Sequence, residues 1–232
     1  MKYGIIAAGE GSRLAQEGVG YPKPLVPLLG MPLIERLIRI FARHNAHSIS
    51  IIINESQPQT LALLNELGKQ FPLNIVVKDT PSSMHSMHAL APYLRGGKFC
   101  LTTVDTIFRE EQFTAYIEAF EKSSSDGLMA VTEFIDDEKP LYVSTGANMR
   151  ITGFHDAAPA DVQYISGGIY ALNEASLHTL ERCIESGQSR MRNFQRNLIS
   201  DGLKLHAYPL GKIIDIDHAS DIAKAEEYLL SL

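Results

Sequence analysis

The chain has 232 residues, 45% of them hydrophobic and 21% charged, with a formal net charge of −6. That length suits one large domain with a sizeable core. The acidic balance argues against nucleic acid or an anionic membrane as partner, but leaves room for a local basic site for a small phosphorylated ligand. Only Cys100 and Cys183 occur; they are far apart and form no CxxC pair, so both read as core thiols of a chain in a reducing compartment, with the cytoplasm as the expected location. The first apolar run, 4–8, is too short for a signal segment or a membrane span.

In chain order, YGIIAA (3–8) predicts a strand that leaves through a glycine-rich turn, Gly9-Glu10-Gly11-Ser12-Arg13. Lys23 follows between two prolines. The stretch 32–46 predicts a helix, with Pro32 near its start and Leu33, Leu37, Ile40 and Phe41 on one face. A strand at 48–54, a helix at 59–71, a strand at 73–79, a helix at 84–94, a strand at 98–104 and a helix at about 109–122 complete the first half. Strands separated by single helices imply βαβ units and a parallel sheet buried on both faces, and the run Ile51-Ile52-Ile53 suits full burial. Beyond 125 the pattern changes. Strand-like pieces at 126–134, 141–146, 148–154 and 162–172 precede two helices near 174–186 and 189–201. Strands at 203–210 and 212–217 and a closing helix from 219 follow, with Ser220 and Asp221 offering capping oxygens.

A glycine-rich turn between a parallel strand and a helix is a phosphate cradle, because backbone N–H groups approach an anion where no Cβ intervenes. Ligands in such sheets sit at the carboxyl ends of the strands. No GxxxxGK[ST] loop is present, and Leu14 stands where a dinucleotide fingerprint needs its third glycine, which weakens a nicotinamide-dependent oxidoreductase. Two cations, Arg13 and Lys23, beside backbone donors suit a triphosphate. The bland alternative is a turn glycine pair and two solvated cations.

The joint motif AAGEGSRL (7–14) and YPKPLVPLLGMPLIERLI (21–38) closely resembles the signature of the nucleotidyltransferases that activate sugar phosphates and related alcohols. The resemblance implies a Rossmann-like three-layer α/β/α fold of GT-A-like type, with a mixed, mainly parallel sheet and a small late β lobe. It further implies a single domain over 1–232, divided into a nucleotide-binding half (1–125) and an acceptor-binding half (126–232). On this resemblance Ala7, Ala8, Gly9, Gly11, Ser12, Arg13 and Lys23 would hold the NTP. Arg13, Lys23 and Asp105 would be catalytic. Asp105, in TTVDTIF (102–108), occupies the place of a metal-binding aspartate, although Val104 stands where the family more often has glycine. KIIDIDHASDIAKAEEYL (212–229) resembles the closing strand, acid and helix. Register from the terminal helix matches Asp215 to the second metal position, whereas in shorter relatives Asp217 is the rival. The implied cofactor is Mg²⁺, which takes one or two carboxylates plus phosphate oxygens.

On the acceptor side, TPSSMHSMHALAPYL (80–94) is similar to segments of phosphocholine-type cytidylyltransferases. Thr80 and Ser83, with Ser82, would meet the base or cap a helix. His85 and His88 lack a third ligand and read as surface or packing residues. YISGGIYAL (164–172) resembles the acceptor-binding strand, with Gly167 or Gly168 letting the acceptor lie against the backbone; a β-bulge is the alternative. The sugar enzymes usually follow the RITGF type of strand with Glu-Lys-Pro, whereas His155-Asp156 follows it here and Glu138-Lys139-Pro140 precedes it. Lys212 would supply the missing positive charge. The arginines of SRMRNFQR (189–196) read as a solvated face or partner contact. The expected partners are an NTP and a phosphorylated acceptor, most simply a sugar 1-phosphate. The alternatives are a phosphocholine-type (CTP) or molybdopterin-type transferase and, in another class, a non-catalytic nucleotide sensor. Because the closing helix ends the sequence, no appended hexapeptide-repeat domain is expected.

Overall fold

The structure, a computed structural model, describes residues 1–134 and 139–231. In chain order it forms β1 (Lys2–Ala7), α1 (Ser12–Gln16), the short β2 (Pro27–Leu28) and β3 (Met31–Pro32), α2 (Leu33–Arg43), β4 (Ser48–Ile53), α3 (Pro58–Leu67), β5 (Leu73–Val77), α4 (Ser83–Leu94), β6 (Phe99–Thr103), β7 (Thr106–Ile107) and α5 (Glu110–Lys122). The later part forms β8 (Gly127–Thr132), β9 (Tyr142–Thr145), β10 (Ile151–His155), β11 (Tyr164–Leu172), α6 (Ala175–Glu185), α7 (Met191–Ser200), β12 (Leu205–Pro209), β13 (Ile214–Asp215) and α8 (Ala219–Leu230).

One nine-stranded sheet runs through the described residues in the order β10-β9-β11-β6-β1-β4-β5, with β8 joined to the free side of β11 and β12 to β8. β1 pairs in parallel with β4 and β6, β4 with β5, and β8 with β12. β11 is antiparallel to β6, β8 and β9, and β10 to β9. The sheet is therefore mixed and mainly parallel, as the sequence pattern required.

Side-chain alternation explains the layers. Ile5, Ile51 and Ile53 enter one core with Leu37 and Phe41 of α2 and Phe113 and Phe120 of α5. Ile6 and Ile52 enter the other, with Met87 and Leu90 of α4, Leu180 of α6 and Phe194 of α7. Successive residues of a strand point to opposite faces, so a run of isoleucines feeds both layers. Tyr116 secures the junction between the halves: its buried hydroxyl donates to Leu128 O (2.6 Å) and accepts from Ala171 N (2.9 Å). Cys100 and Cys183 are both buried thiols, and burial pushes the Cys100 thiol well up. None of the described helices is long and apolar enough to cross a membrane.

Two local expectations need correction. The stretch 212–217 yields only the two-residue strand β13, paired with β7 through Ile214↔Ile107 and Asp215↔Thr106; the ladder stops there because Ile216 N turns to Asp105 O (3.1 Å). The cap of α8 comes from Asp221 alone of the two residues expected. Its Oδ2 accepts from His218 N (2.8 Å) and Asp217 N (3.2 Å) in a capping box.

Candidate active site

Three chain segments bring the site to the carboxyl edge of the parallel strands. β1 ends at Ala7 and opens into the glycine-rich turn. β6 ends at Thr103, and Val104 N donates to Ile6 O (3.0 Å), which hangs Asp105 beside β1. The β7–β13 ribbon then lays Asp215 and Asp217 next to Asp105. Gly11 has φ 61°, and a Cβ there would stand 3.0 Å from Lys23 Cβ. Glycine thus allows both the left-handed turn and the close approach of the Lys23 segment. α1, which follows, is only five residues long, so the positive charge at this edge comes chiefly from side chains and not from a helix dipole.

Lys23 Nζ donates to Asp105 Oδ2 and to Asp217 Oδ1, the latter at 2.8 Å, and its side chain is only 10% exposed. Arg13 Nη1 donates to Asp217 Oδ2 at 3.2 Å. One ammonium therefore bridges two carboxylates, and a guanidinium joins the second. Burial by itself would lower the Lys23 pKa, but Asp105 and Asp217 together outweigh it and hold it above its ordinary value. Asp215 is exposed on the cleft side of β13. Protein crowding around its carboxylate, and then the nearby negative charge of Asp105, hold its pKa well above the usual carboxylate range.

No cluster of three or more His, Cys, Asp or Glu side chains gathers to hold a metal among the described residues. The donors that do converge are the Asp105–Asp217 pair, with Asp215 alongside. Two carboxylates with substrate oxygens form a donor set that suits Mg²⁺. The Lys23 ammonium between Asp105 and Asp217 shows that this pair accommodates one positive centre.

A cleft of about 390 Å³ opens over Asp215 and Asp217, lined also by Arg13, Ser166, Gly167, Lys139 and Lys224; Lys23 joins Asp217 to Asp105 at its edge. Gly167 is thus on the cleft wall. A Cβ there would lie 2.3 Å from Ile213 Cδ1, so packing of the closing segment also demands a glycine. Gly168, with φ 73°, sits in the register shift between Ser166 and Tyr170 and turns toward Thr106. The bulge reading therefore holds for it.

Lys212 is not brought to the cleft. Its ammonium lies over the rings of Phe134 (4.2 Å) and Tyr228 (5.5 Å), where it lines a neighbouring cavity of about 740 Å³. Cation–π contact and the Tyr228 hydroxyl on its own carbonyl (2.8 Å) draw the residue away. Of the lysines that do line the cleft, Lys139 belongs to the Glu-Lys-Pro stretch whose position before the RITGF strand set it aside in sequence, and Lys224 went unnoticed, because only the fold brings the chain after β8, β11 and α8 to one place. Lys224 pairs with Asp221 one helical turn away (3.0 Å). Glu138, the companion of Lys139 in the Glu-Lys-Pro stretch, lies outside the described residues.

On the nucleotide side, Ala7 is buried at the end of β1, Ala8 follows it half-buried, and Ser12 opens α1. No atom would obstruct a Cβ on Gly9, whose carbonyl accepts from Gln57 Nε2 (3.3 Å). Gln57 is buried, and its Oε1 has no protein partner. Thr80 and Ser83 do not line the cleft: Thr80 Oγ1 bonds Ser86 Oγ (2.6 Å), Ser83 is the first residue of α4, and Ser82 Oγ meets His85 Nδ1 (2.9 Å). Glu17, also missed in sequence, ties the glycine-rich segment to the start of α8. Its carboxylate contacts His218 Nδ1 (2.6 Å) and accepts from Ala219 N (2.7 Å). That bond lowers the Glu17 pKa and raises that of His218.

Of the three arginines of the α7 stretch, Arg190 is exposed, whereas Arg192 and Arg196 are partly buried and paired. Arg192 and Arg196 both pair with Asp156, and they also donate to Lys139 O (3.0 Å) and Phe154 O (3.2 Å) respectively. Two carbonyls and a carboxylate within reach of two fixed guanidinium forks outweigh hydration of that face.

Known proteins share this architecture. The solved structure of an inositol-1-phosphate CTP transferase from T. maritima superposes with a TM-score of 0.80 at 18% identity, over 99% of this chain and 98% of that one. A CTP:phosphocholine cytidylyltransferase from Streptococcus pneumoniae gives 0.76 at 20%, over 98% of each chain. At such identities the likeness is one of fold. By sequence, the bifunctional protein GlmU of Methanococcus maripaludis is 22% identical over 236 aligned residues, covering 98% of this chain and 54% of its own length. The chain thus spans about half the length of the curated relatives it matches. The family model described as a MobA-like NTP transferase domain matches residues 4–196. With the glycine-rich turn, its two cations and the facing acids gathered at one sheet edge, the chain belongs to the MobA-like NTP transferase domain family.

Proposed function

We propose that the chain catalyses Mg²⁺-dependent transfer of a nucleoside monophosphate from an NTP to a phosphorylated acceptor, a sugar 1-phosphate, in the cytoplasm, yielding an NDP-linked product and pyrophosphate. The observation that carries this reading is the bridge of Lys23 between Asp105 and Asp217, with Arg13 on Asp217, at the carboxyl edge of the sheet. A phosphate oxygen of the acceptor attacks the α-phosphorus in line. The bond from that phosphorus to the oxygen bridging it to the β-phosphate breaks, and pyrophosphate leaves with the electron pair. No covalent enzyme intermediate is required.

Arg13 and Lys23 exchange their carboxylates for the β- and γ-phosphates and stabilise the charge that builds on the leaving group. Backbone N–H groups of the turn from Ala8 to Ser12 hold the triphosphate. Asp105 with Asp217, and Asp215 beside them, would hold Mg²⁺, which when bound neutralises the α-phosphate and the acceptor phosphate. Lys139, Lys224, Ser166 and Gly167 form the acceptor wall, so that residues 1–125 bind nucleotide and 126–232 bind acceptor. Since most of the work is positioning and charge neutralisation, the order of these groups around the cleft matters more than any single nucleophile.

The test is a screen of the four NTPs against sugar 1-phosphates, inositol phosphate and phospho-amino-alcohols, reading pyrophosphate release with and without Mg²⁺. One NTP and one acceptor class are expected to give turnover that a chelator abolishes. Turnover with phosphocholine or another phospho-amino-alcohol alone would replace the sugar acceptor; Mg²⁺-dependent NTP binding without turnover on any acceptor would make the chain a nucleotide sensor.

A further inference from the structure

Resting on the reading above, we propose that α7 positions the acceptor wall of the cleft from behind, with Arg192 setting the Lys139 backbone and Gln195 setting the Ser166 hydroxyl. Neither residue lines the cleft, so both are positioning residues that act through the residues they hold.

Gln195 is 2% exposed, and its Oε1 accepts from Ser166 Oγ at 3.0 Å. Ser166 precedes the Gly167-Gly168 bulge, where the ladder between β11 and β8 is interrupted. The Ser166 backbone is held by its register with Val131 and by its amide on Leu141 O (2.8 Å), while its hydroxyl, on the last paired residue before the interruption, is oriented by the Gln195 oxygen. Arg192 Nη2 donates to Lys139 O at 3.0 Å while its Nη1 pairs with Asp156. Lys139 lies in no helix or strand, so this bond is the contact from α7 that fixes where its backbone runs.

The brace is itself anchored. Arg196 takes the second oxygen of Asp156 at 2.7 Å and donates to Phe154 O at 3.2 Å. With a carboxylate clamped between two guanidinium forks, the Arg192 plane has little freedom. On its inner side α7 buries Met191, Phe194 and Leu198 in the core shared with α4 and α6. The helix is therefore held by apolar packing on one face and presents Arg192 and Gln195 to the acceptor wall. The polar bonds of Arg192, Gln195 and Arg196 run to Lys139 O, Asp156, Ser166, Phe154 O and Asn193, all on the acceptor side or within α7. The consequence is one-sided: loosening α7 moves the acceptor and leaves the triphosphate site alone.

Two readouts test the proposal. In steady-state kinetics on the full chain, Arg192→Ala and Gln195→Leu each raise the acceptor KM roughly tenfold, the loss typical of removing a supporting partner, while the NTP KM stays put. Arg192→Lys recovers only part of this, because an ammonium cannot serve Asp156 and Lys139 O in one plane. The Ser166→Ala, Gln195→Leu double variant is no worse than Ser166→Ala alone, as expected if Gln195 acts through Ser166. In amide hydrogen exchange without any substrate, amides at 141–143 and 166–168 exchange faster in the α7 variants, while those of β1 and β4 do not change. An equal rise in both KM values, an additive double variant, or unchanged exchange at 141–143 and 166–168 overturns the proposal. If the wild-type chain releases no pyrophosphate with any acceptor, the reaction above is rejected and the exchange measurement alone decides the brace.

Discussion

The two sides of the cleft are built by different means. On the proposed nucleotide side, residues 9–23 form one continuous piece of chain, and Asp105 is hung beside it where the β1–β6 ladder ends, at Val104 N to Ile6 O. On the proposed acceptor side, Lys139, Ser166 and Lys224 come from three separate places, and the first two are held by Arg192 and Gln195, which do not line the cleft. The first arrangement makes a fixed charge device that suits a constant chemical group, the triphosphate. The second makes a wall whose shape depends on its supporting residues, which on the proposed reading would let one fold accommodate different acceptors.

The strongest way to break this contrast is to remove the central charge. Lys23→Ala should lower kcat/KM by about 10²-fold or more, the usual effect of losing a charge partner of the transition state. Pyrophosphate release near the wild-type rate would remove Lys23 from the chemistry. Next come the acids. Because the Lys23 ammonium spans Asp105 and Asp217, Asp217→Asn should raise the Mg²⁺ needed for half-maximal rate by at least roughly tenfold, as even the loss of an outer-sphere partner does. Asp215→Asn should cost less, and a titration of rate against Mg²⁺ in which Asp215→Asn is the worse variant would restore Asp215 as the principal ligand.

A third test belongs to the acceptor side. Gly167→Ala puts a methyl against Ile213 Cδ1 and should destabilise the fold by about 1–3 kcal/mol through overpacking. Thermal unfolding with and without NTP would read it, and an unchanged Tm would show that Ile213 moves aside freely. The smallest effect lies away from both sides. Arg43 holds Glu110 in a two-bond pair and depresses the Glu110 pKa. A depressed carboxylate adds stability above its unfolded pKa and loses it as pH falls through the folded value. Arg43→Ala should therefore cost about 0.5 kcal/mol at neutral pH, the scale of an exposed pair, and nothing once the pH has fallen well below the depressed folded value, where both states are protonated. Urea unfolding at the two pH values checks the sign.

Much of this molecule could be read directly from the chain. The isoleucine runs of β1 and β4, flanked by amphipathic helices, dictated a buried parallel sheet, since only a doubly covered strand can place isoleucine on both faces. The pair of Gly11 and Lys23 was legible because its partners are close in sequence and the turn needs a residue without a side chain. Tertiary structure alone decided which charges meet. Lys212 looked suited to the acceptor, yet the rings of Phe134 and Tyr228 hold its ammonium elsewhere. The α7 arginines looked solvated, yet Asp156 and two carbonyls were waiting for them. Backbone periodicity is a local property and shows in a dozen residues, whereas the partner of a charge is set by how distant segments cross, and no stretch of sequence carries that distance.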